Sequence, residues 1–116
     1  MICADGIIIG SPVYSAEVTA NMQALMERAS MIMEESPELL MHKVGSSVIV
    51  ARRGRIQNAL DQINYFFLNH EMYVVGSNNW NRIWEHQDIS FTEDEQLQNM
   101  VRKIGKDMAV LLKALH

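Results

Sequence analysis

The sequence predicts an α/β protein built on a parallel sheet of about three strands with flanking helices. Two observations carry this. Short runs of isoleucine and valine alternate with stretches whose apolar residues recur at helical spacing, and each run stops at a turn-forming or charged segment. Such alternation implies right-handed crossovers, which set strands over residues 7–11, 47–51 and 72–76 side by side in chain order.

Gly6-Ile7-Ile8-Ile9-Gly10 reads as a strand buried on both faces, and Gly10-Ser11-Pro12 closes it. From Val18 onward, Met22, Leu25, Met26, Ala29 and Met33 recur at helical spacing. They predict a helix over about 18–33, which Pro37 prevents from continuing. Val48-Ile49-Val50-Ala51 gives the second buried strand and breaks at Arg52-Arg53-Gly54; Ile56, Ala59, Leu60, Ile63 and Phe67 mark the next helix. Met72-Tyr73-Val74-Val75 forms a third strand ending at Gly76, and a long irregular segment holding Trp80 and Trp84 follows. Thr92-Glu93-Asp94-Glu95 matches a capping box, in which the threonine hydroxyl and the later glutamate satisfy free N–H groups at a helix start. The helix it opens carries one apolar stripe from Leu97 through Ile104 and Met108 to Leu115, so it is expected to pack on the sheet.

Charge and composition narrow the function classes. The formal net charge is -4 with both signs interspersed, which offers no long-range attraction to nucleic acid or an anionic membrane. No apolar run approaches the roughly 20 residues that span a bilayer, and a cytoplasmic location is expected. Cys3 is the only cysteine, so one chain makes neither a disulfide nor a thiolate metal site; lying just before a buried strand, it is expected to be a buried, structural residue. His42, His70, His86 and His116 lack metal-ligand spacing, and no second carboxylate opposes Glu34-Glu35; none is assigned to catalysis.

In an open parallel sheet, ligands bind beyond the carboxyl ends of the strands, where loops and helix N-termini converge. Three segments reach that rim: Ser11-Pro12-Val13-Tyr14-Ser15, Arg52-Arg53-Gly54-Arg55 and Ser77-Asn78-Asn79-Trp80-Asn81. Hydroxyls, backbone N–H groups, an aromatic face and guanidinium groups suit a flat polar ring such as a flavin isoalloxazine. Tyr14 either stacks near such a ring or packs at the rim of the core, and Arg52 and Arg53 either contact a ligand or stay solvated. Trp80 and Trp84 are expected to pack on their own domain or at an interface. Met22, Met26, Met31, Met33 and Met41 either offer a pliable binding face or, as is usual for methionines at helical spacing, fill a core or a helix–helix interface.

Ala4 through Tyr14 resembles the third-strand signature of NADPH-dependent FMN reductase-like proteins, and Val18 through Arg28 resembles the helix after it. Val50-Ala51-Arg52-Arg53-Gly54 is similar to the fourth-strand loop of iron-sulfur flavoproteins, and Gly76 through Asn81 to a later loop of that group. The resemblance implies a flavodoxin-like domain over residues 1–116, truncated to the C-terminal part of the family's sheet. It also implies an FMN-dependent oxidoreductase passing electrons from NAD(P)H to a flavin, quinone or redox protein. The chemistry would then belong to the cofactor, so no catalytic side chain and no metal ligand is expected. By the same resemblance, Ser11, Pro12, Val13, Tyr14, Ser15, Ala51, Arg52, Arg53 and Gly54 would hold FMN. The family's phosphate-binding loop and cysteine cluster precede the third strand and are expected to lie outside this chain. The rival expectation is a non-enzymatic remnant acting as an oligomerising or partner-binding module. A homo-oligomer is expected, burying Ile7-Ile8-Ile9 or an apolar helix face, above all that of the methionine-rich helix.

Overall fold

Strand β1 (Gly6–Pro12) lies parallel to β2 (Val44–Ala51), in a register running from Gly6 opposite Val44 to Pro12 opposite Val50. The computed structural model describes residues 1–52, 54–84 and 90–116, leaving aside the side chains of residues 79 and 80. On the far edge of β2 two short strands follow one another. Strand β3 (Tyr73–Val74) pairs with Val44 and Gly45, and β4 (Arg82–Trp84) pairs with Ile49, Val50 and Ala51; both are parallel to β2.

The expected strand order and parallel sense hold. Two bounds differ. The second strand starts at Val44 rather than residue 47, and the third shrinks to two residues, while the segment taken as irregular contributes β4, with Trp84 inside it. The reason is Asn81. Its side-chain oxygen accepts the N–H of Ser77 at 2.8 Å, its amide donates to Ser46 Oγ at 3.0 Å, and Ser46 Oγ donates to the Val75 carbonyl at 2.8 Å. Polar groups of the excursion thus satisfy the buried middle of β2 where no strand partner lies beside it.

Side chains of β2 alternate between two layers. Gly45 faces Phe67, and Ile49 and Ala51 join a core formed with Met26, Ala29 and Met33 of α1 (Ala20–Glu35) and Ala59, Ile63 and Phe67 of α2 (Gln57–Asn69). The opposite face carries α3 (Glu95–Leu115), whose Met108 and Leu112 sit over Gly6. A Cβ on Gly45 would come within 2.8 Å of the Phe67 ring, so the bare backbone is what lets α2 seat on β2.

Helix ends follow local chemistry. Thr19 caps α1 by accepting the Met22 N–H, and a 3-10 turn at Pro37–Leu39 follows the helix. Helix α2 ends with Met72 N–H bonded to the Phe67 carbonyl and Glu71 N–H to that of Leu68, around a left-handed Glu71 (φ 54°). For α3 the expected capping box is corrected. Asp94, not Thr92, accepts the Leu97 N–H at 3.0 Å, while the Thr92 hydroxyl bonds Ser90. A carboxylate at that position also complements the positive end of the helix dipole. Cys3 is likewise corrected, being exposed rather than buried. The Lys43 ammonium holds the carbonyls of Ile2 and Ala4 at 2.6 and 2.5 Å, which fixes the segment as a turn outside the start of β1.

Candidate functional site

Beyond the carboxyl ends of β1 and β2, the two following loops face one another across a cleft of about 1090 Å³. Pro12, Val13, Tyr14, Ser15 and Ala16 form one lip, Arg52, Gly54 and Arg55 the other, and Val50 lies between them. That volume is on the scale of sites for small organic ligands. Tyr14 is 84% exposed, so its ring is available to a ligand and is not packed in the core. Among the described residues no acidic side chain lines the cleft, and two arginines do, which favours an anionic guest.

The first lip is held at both ends. Val13 N–H donates to the Val50 carbonyl at 2.9 Å; Ser11 Oγ donates to the Pro12 carbonyl at 2.9 Å and accepts the Thr19 N–H at 3.1 Å. Gln62 of α2 accepts the Val18 N–H at 3.0 Å, and its amide reaches Gln23 of α1 at 3.5 Å. Each lip contains a non-glycine residue in the left-handed region, Ala16 at φ 69° and Arg55 at φ 72°. Such a conformation costs roughly 1–2 kcal/mol per residue, and backbone strain of this kind clusters where structure serves a ligand. The second lip leads into α2, whose first turn has no side-chain cap and so keeps its N–H groups directed toward the loop.

Of the residues expected to hold a cofactor, Pro12, Val13, Tyr14, Ser15, Arg52 and Gly54 line the cleft. Ser11 and Ala51, 2% and 3% exposed, lie beneath it in the strand ends; Ser11 serves the loop through Thr19. Arg53 lies outside the described residues. Val50 and Ala16 were not singled out as site residues, Val50 reading only as strand and Ala16 carrying no sign of its backbone conformation. Arg55 was legible only as a rim charge.

The third rim segment goes elsewhere. Ser77 Oγ donates to Asp107 Oδ2 of α3 at 2.7 Å, and Lys103 pairs with the same oxygen at 2.7 Å. The Lys103 hydrogen bond first, and that of Ser77 second, hold the Asp107 carboxyl below its ordinary value. Asn78 borders a shallow groove along α3 rather than the cleft. Trp84 packs, half-buried, against the α1/α2 core with the Arg82 guanidinium 3.8 Å from its ring centre, and the side chain of Trp80 and all of His86 lie outside the described residues. Away from the rim, His70 is buried between α1 and α2, its Nε2 3.0 Å from Ser30 Oγ and its ring edge-on to Phe66. Burial pushes the imidazole below its ordinary 6.5, and Glu34 opposes that shift.

A parallel sheet with helices on both faces and a cleft at its carboxyl rim defines a flavodoxin-like α/β protein. The chain belongs to the NADPH-dependent FMN reductase family, whose profile matches residues 1–85. It is 39% identical over 118 residues to an iron-sulfur flavoprotein of Methanocaldococcus jannaschii, covering all of this chain and 58% of that protein. A second iron-sulfur flavoprotein of the same organism is 44% identical over 77 residues, covering 65% of this chain and 39% of the relative. The chain thus spans well under two thirds of the length of these relatives. Among solved structures, the flavodoxin, WrbA-like protein from Agrobacterium tumefaciens superposes with a TM-score of 0.77 at 18% identity, over 96% of this chain and 68% of the other. At that identity the likeness speaks for the fold.

Proposed function

We propose that the cleft takes an FMN ring and ribityl chain, and that the chain serves a flavin-dependent oxidoreductase with NAD(P)H as electron donor. What supports this is the convergence of Tyr14, Arg52 and Gly54 on one cleft, in a chain whose family is named for FMN reduction. The residues present fit the group. Tyr14 offers an aromatic face, Arg52 and Arg55 suit an anionic ligand, and around Gly54 nothing lies within 4 Å of where a Cβ would stand, which leaves backbone open to a guest. When bound, the flavin supplies the electron chemistry. The chain's own part is to orient the ring, with a loop fixed in advance by Ser11, Thr19 and Gln62.

Titrating FMN into the purified protein and following flavin fluorescence, with gel filtration to recover a yellow protein, tests this. Quenching that weakens in both Tyr14→Ala and Arg52→Ala is expected. Quenching untouched by either variant, or none at all, overturns it.

A further inference from the structure

We propose that Arg55 makes the cleft selective for the reduced, anionic form of FMN, which it binds more tightly than the oxidised form. This preference presupposes that the cleft takes the flavin ring, as proposed above. Arg55 lines the second lip with its backbone at φ 72°. Glycine would hold that conformation without steric cost, so what an arginine adds there is its side chain. The guanidinium makes no hydrogen bond or ion pair with another described residue, which leaves its charge to whatever enters the cleft.

Positive charge gathers at this lip. Arg52 lines the same wall, and the lip runs into α2, whose first turn has neither an acidic residue nor a side-chain cap to offset the positive end of the helix. Asp61, one turn further on, accepts the Gln57 amide at 3.2 Å, and neither it nor Glu17 of the first loop lines the cleft. The opposite lip, Pro12, Val13, Tyr14, Ser15 and Ala16, carries no charge. A ring lying between the two therefore meets cations along one side.

Oxidised and reduced flavin differ in the charge that such a lip reads. Hydride transfer from a reduced nicotinamide moves two electrons and one proton: the donor's C–H bond breaks, a ring N–H bond forms, and the donor leaves as the oxidised nicotinamide. The ring is left with one more negative charge, which it keeps at mildly alkaline pH. The phosphate is the same in both forms, so a preference between them reports the ring. A cation beside a group of opposite charge favours the charged form. Arg55 is exposed, which sets the effect at the modest end, about three- to tenfold in affinity.

Anaerobic equilibrium dialysis at mildly alkaline pH, with FMN supplied oxidised or reduced by dithionite, gives the two dissociation constants. Reduced FMN is expected to bind the tighter. Arg55→Gln is expected to lower that preference about three- to tenfold, and Arg55→Lys to keep most of it. Riboflavin, which lacks the phosphate, should show the same preference and lose it in step. Salt supplies a readout that needs no variant: raising it from about 0.05 to about 0.5 M should shrink the riboflavin preference of the unaltered chain. Tighter binding of the oxidised form, or a preference unchanged in Arg55→Gln, overturns the proposal and leaves the flavin site standing. So does a variant that weakens both forms of FMN alike and neither form of riboflavin, which would assign Arg55 to the phosphate. Uptake of no flavin in either state overturns the flavin site itself, and this preference with it.

Discussion

Gln62 accepts the N–H of Val18 at 3.0 Å, and through this bond a helix on one face of the sheet fixes the loop that forms a lip of the cleft. Gln62→Leu leaves that part-buried N–H without its acceptor. We expect a loss of about 1–3 kcal/mol of stability and weaker flavin uptake, with Gln62→Glu, which keeps an acceptor oxygen, losing less. Urea unfolding and the FMN titration read the two effects; an affinity unchanged in Gln62→Leu would mean that the loop holds its shape unaided.

Gly45→Ala brings a methyl group to 2.8 Å from the ring of Phe67, which is fully buried. Overpacking of this kind costs about 1–3 kcal/mol. Because the clash is with one ring, Phe67→Leu should relieve part of it, and the double variant should be more stable than the sum of the two single losses predicts. Strict additivity in denaturant unfolding would place the strain elsewhere.

Glu71→Gly should stabilise the protein by about 0.5–1 kcal/mol, since the left-handed position that ends α2 costs glycine nothing sterically. Glu71→Val should do the reverse. Thermal melts at neutral pH separate the two.

Burial lowers the His70 imidazole below 6.5, so the unfolded chain takes up this proton before the folded one does. The stability contributed by the neutral ring is fully present above about 6.5 and is lost as pH falls from there through the folded value. We expect the urea midpoint to drop between pH 7.5 and pH 5, and the drop to shrink in His70→Gln, whose amide can still meet Ser30. An equal drop in the variant would assign the dependence to other groups.

Strand order and parallel sense were legible because β-branched runs such as Ile7-Ile8-Ile9 and Val48-Ile49-Val50 leave little choice of element. The first half of β2 was not. Gly45, Ser46 and Ser47 are poor strand formers in isolation, and they belong there because Phe67 needs the space at Gly45 and Val75 and Asn81 need the hydroxyl of Ser46. Turn geometry was hidden more thoroughly. Ala16, His42, Arg55, Glu71 and Asn81 take positive φ, and no described glycine does, so the usual sign for a left-handed residue pointed nowhere useful. The cleft was therefore legible as two loops beyond two strands, while its strained positions were not. Cys3 misled because its exposure depends on Lys43, forty positions later, catching the carbonyls on either side of it.

The broken far edge of the sheet has a consequence for how such a chain tolerates change in length. Tyr73 lies opposite Val44 and Arg82 opposite Ile49, so nine steps along the edge cover five along β2. The surplus leaves the sheet and rejoins it in the same direction, and Asn81 closes the gap from within. Insertions or deletions placed near Asn78 can thus be absorbed locally, as a splice is, without shifting β4 or the end of β2 from which the arginine lip departs. Variation among related genes should collect at this splice, and a graft intended to alter the rim is best made there.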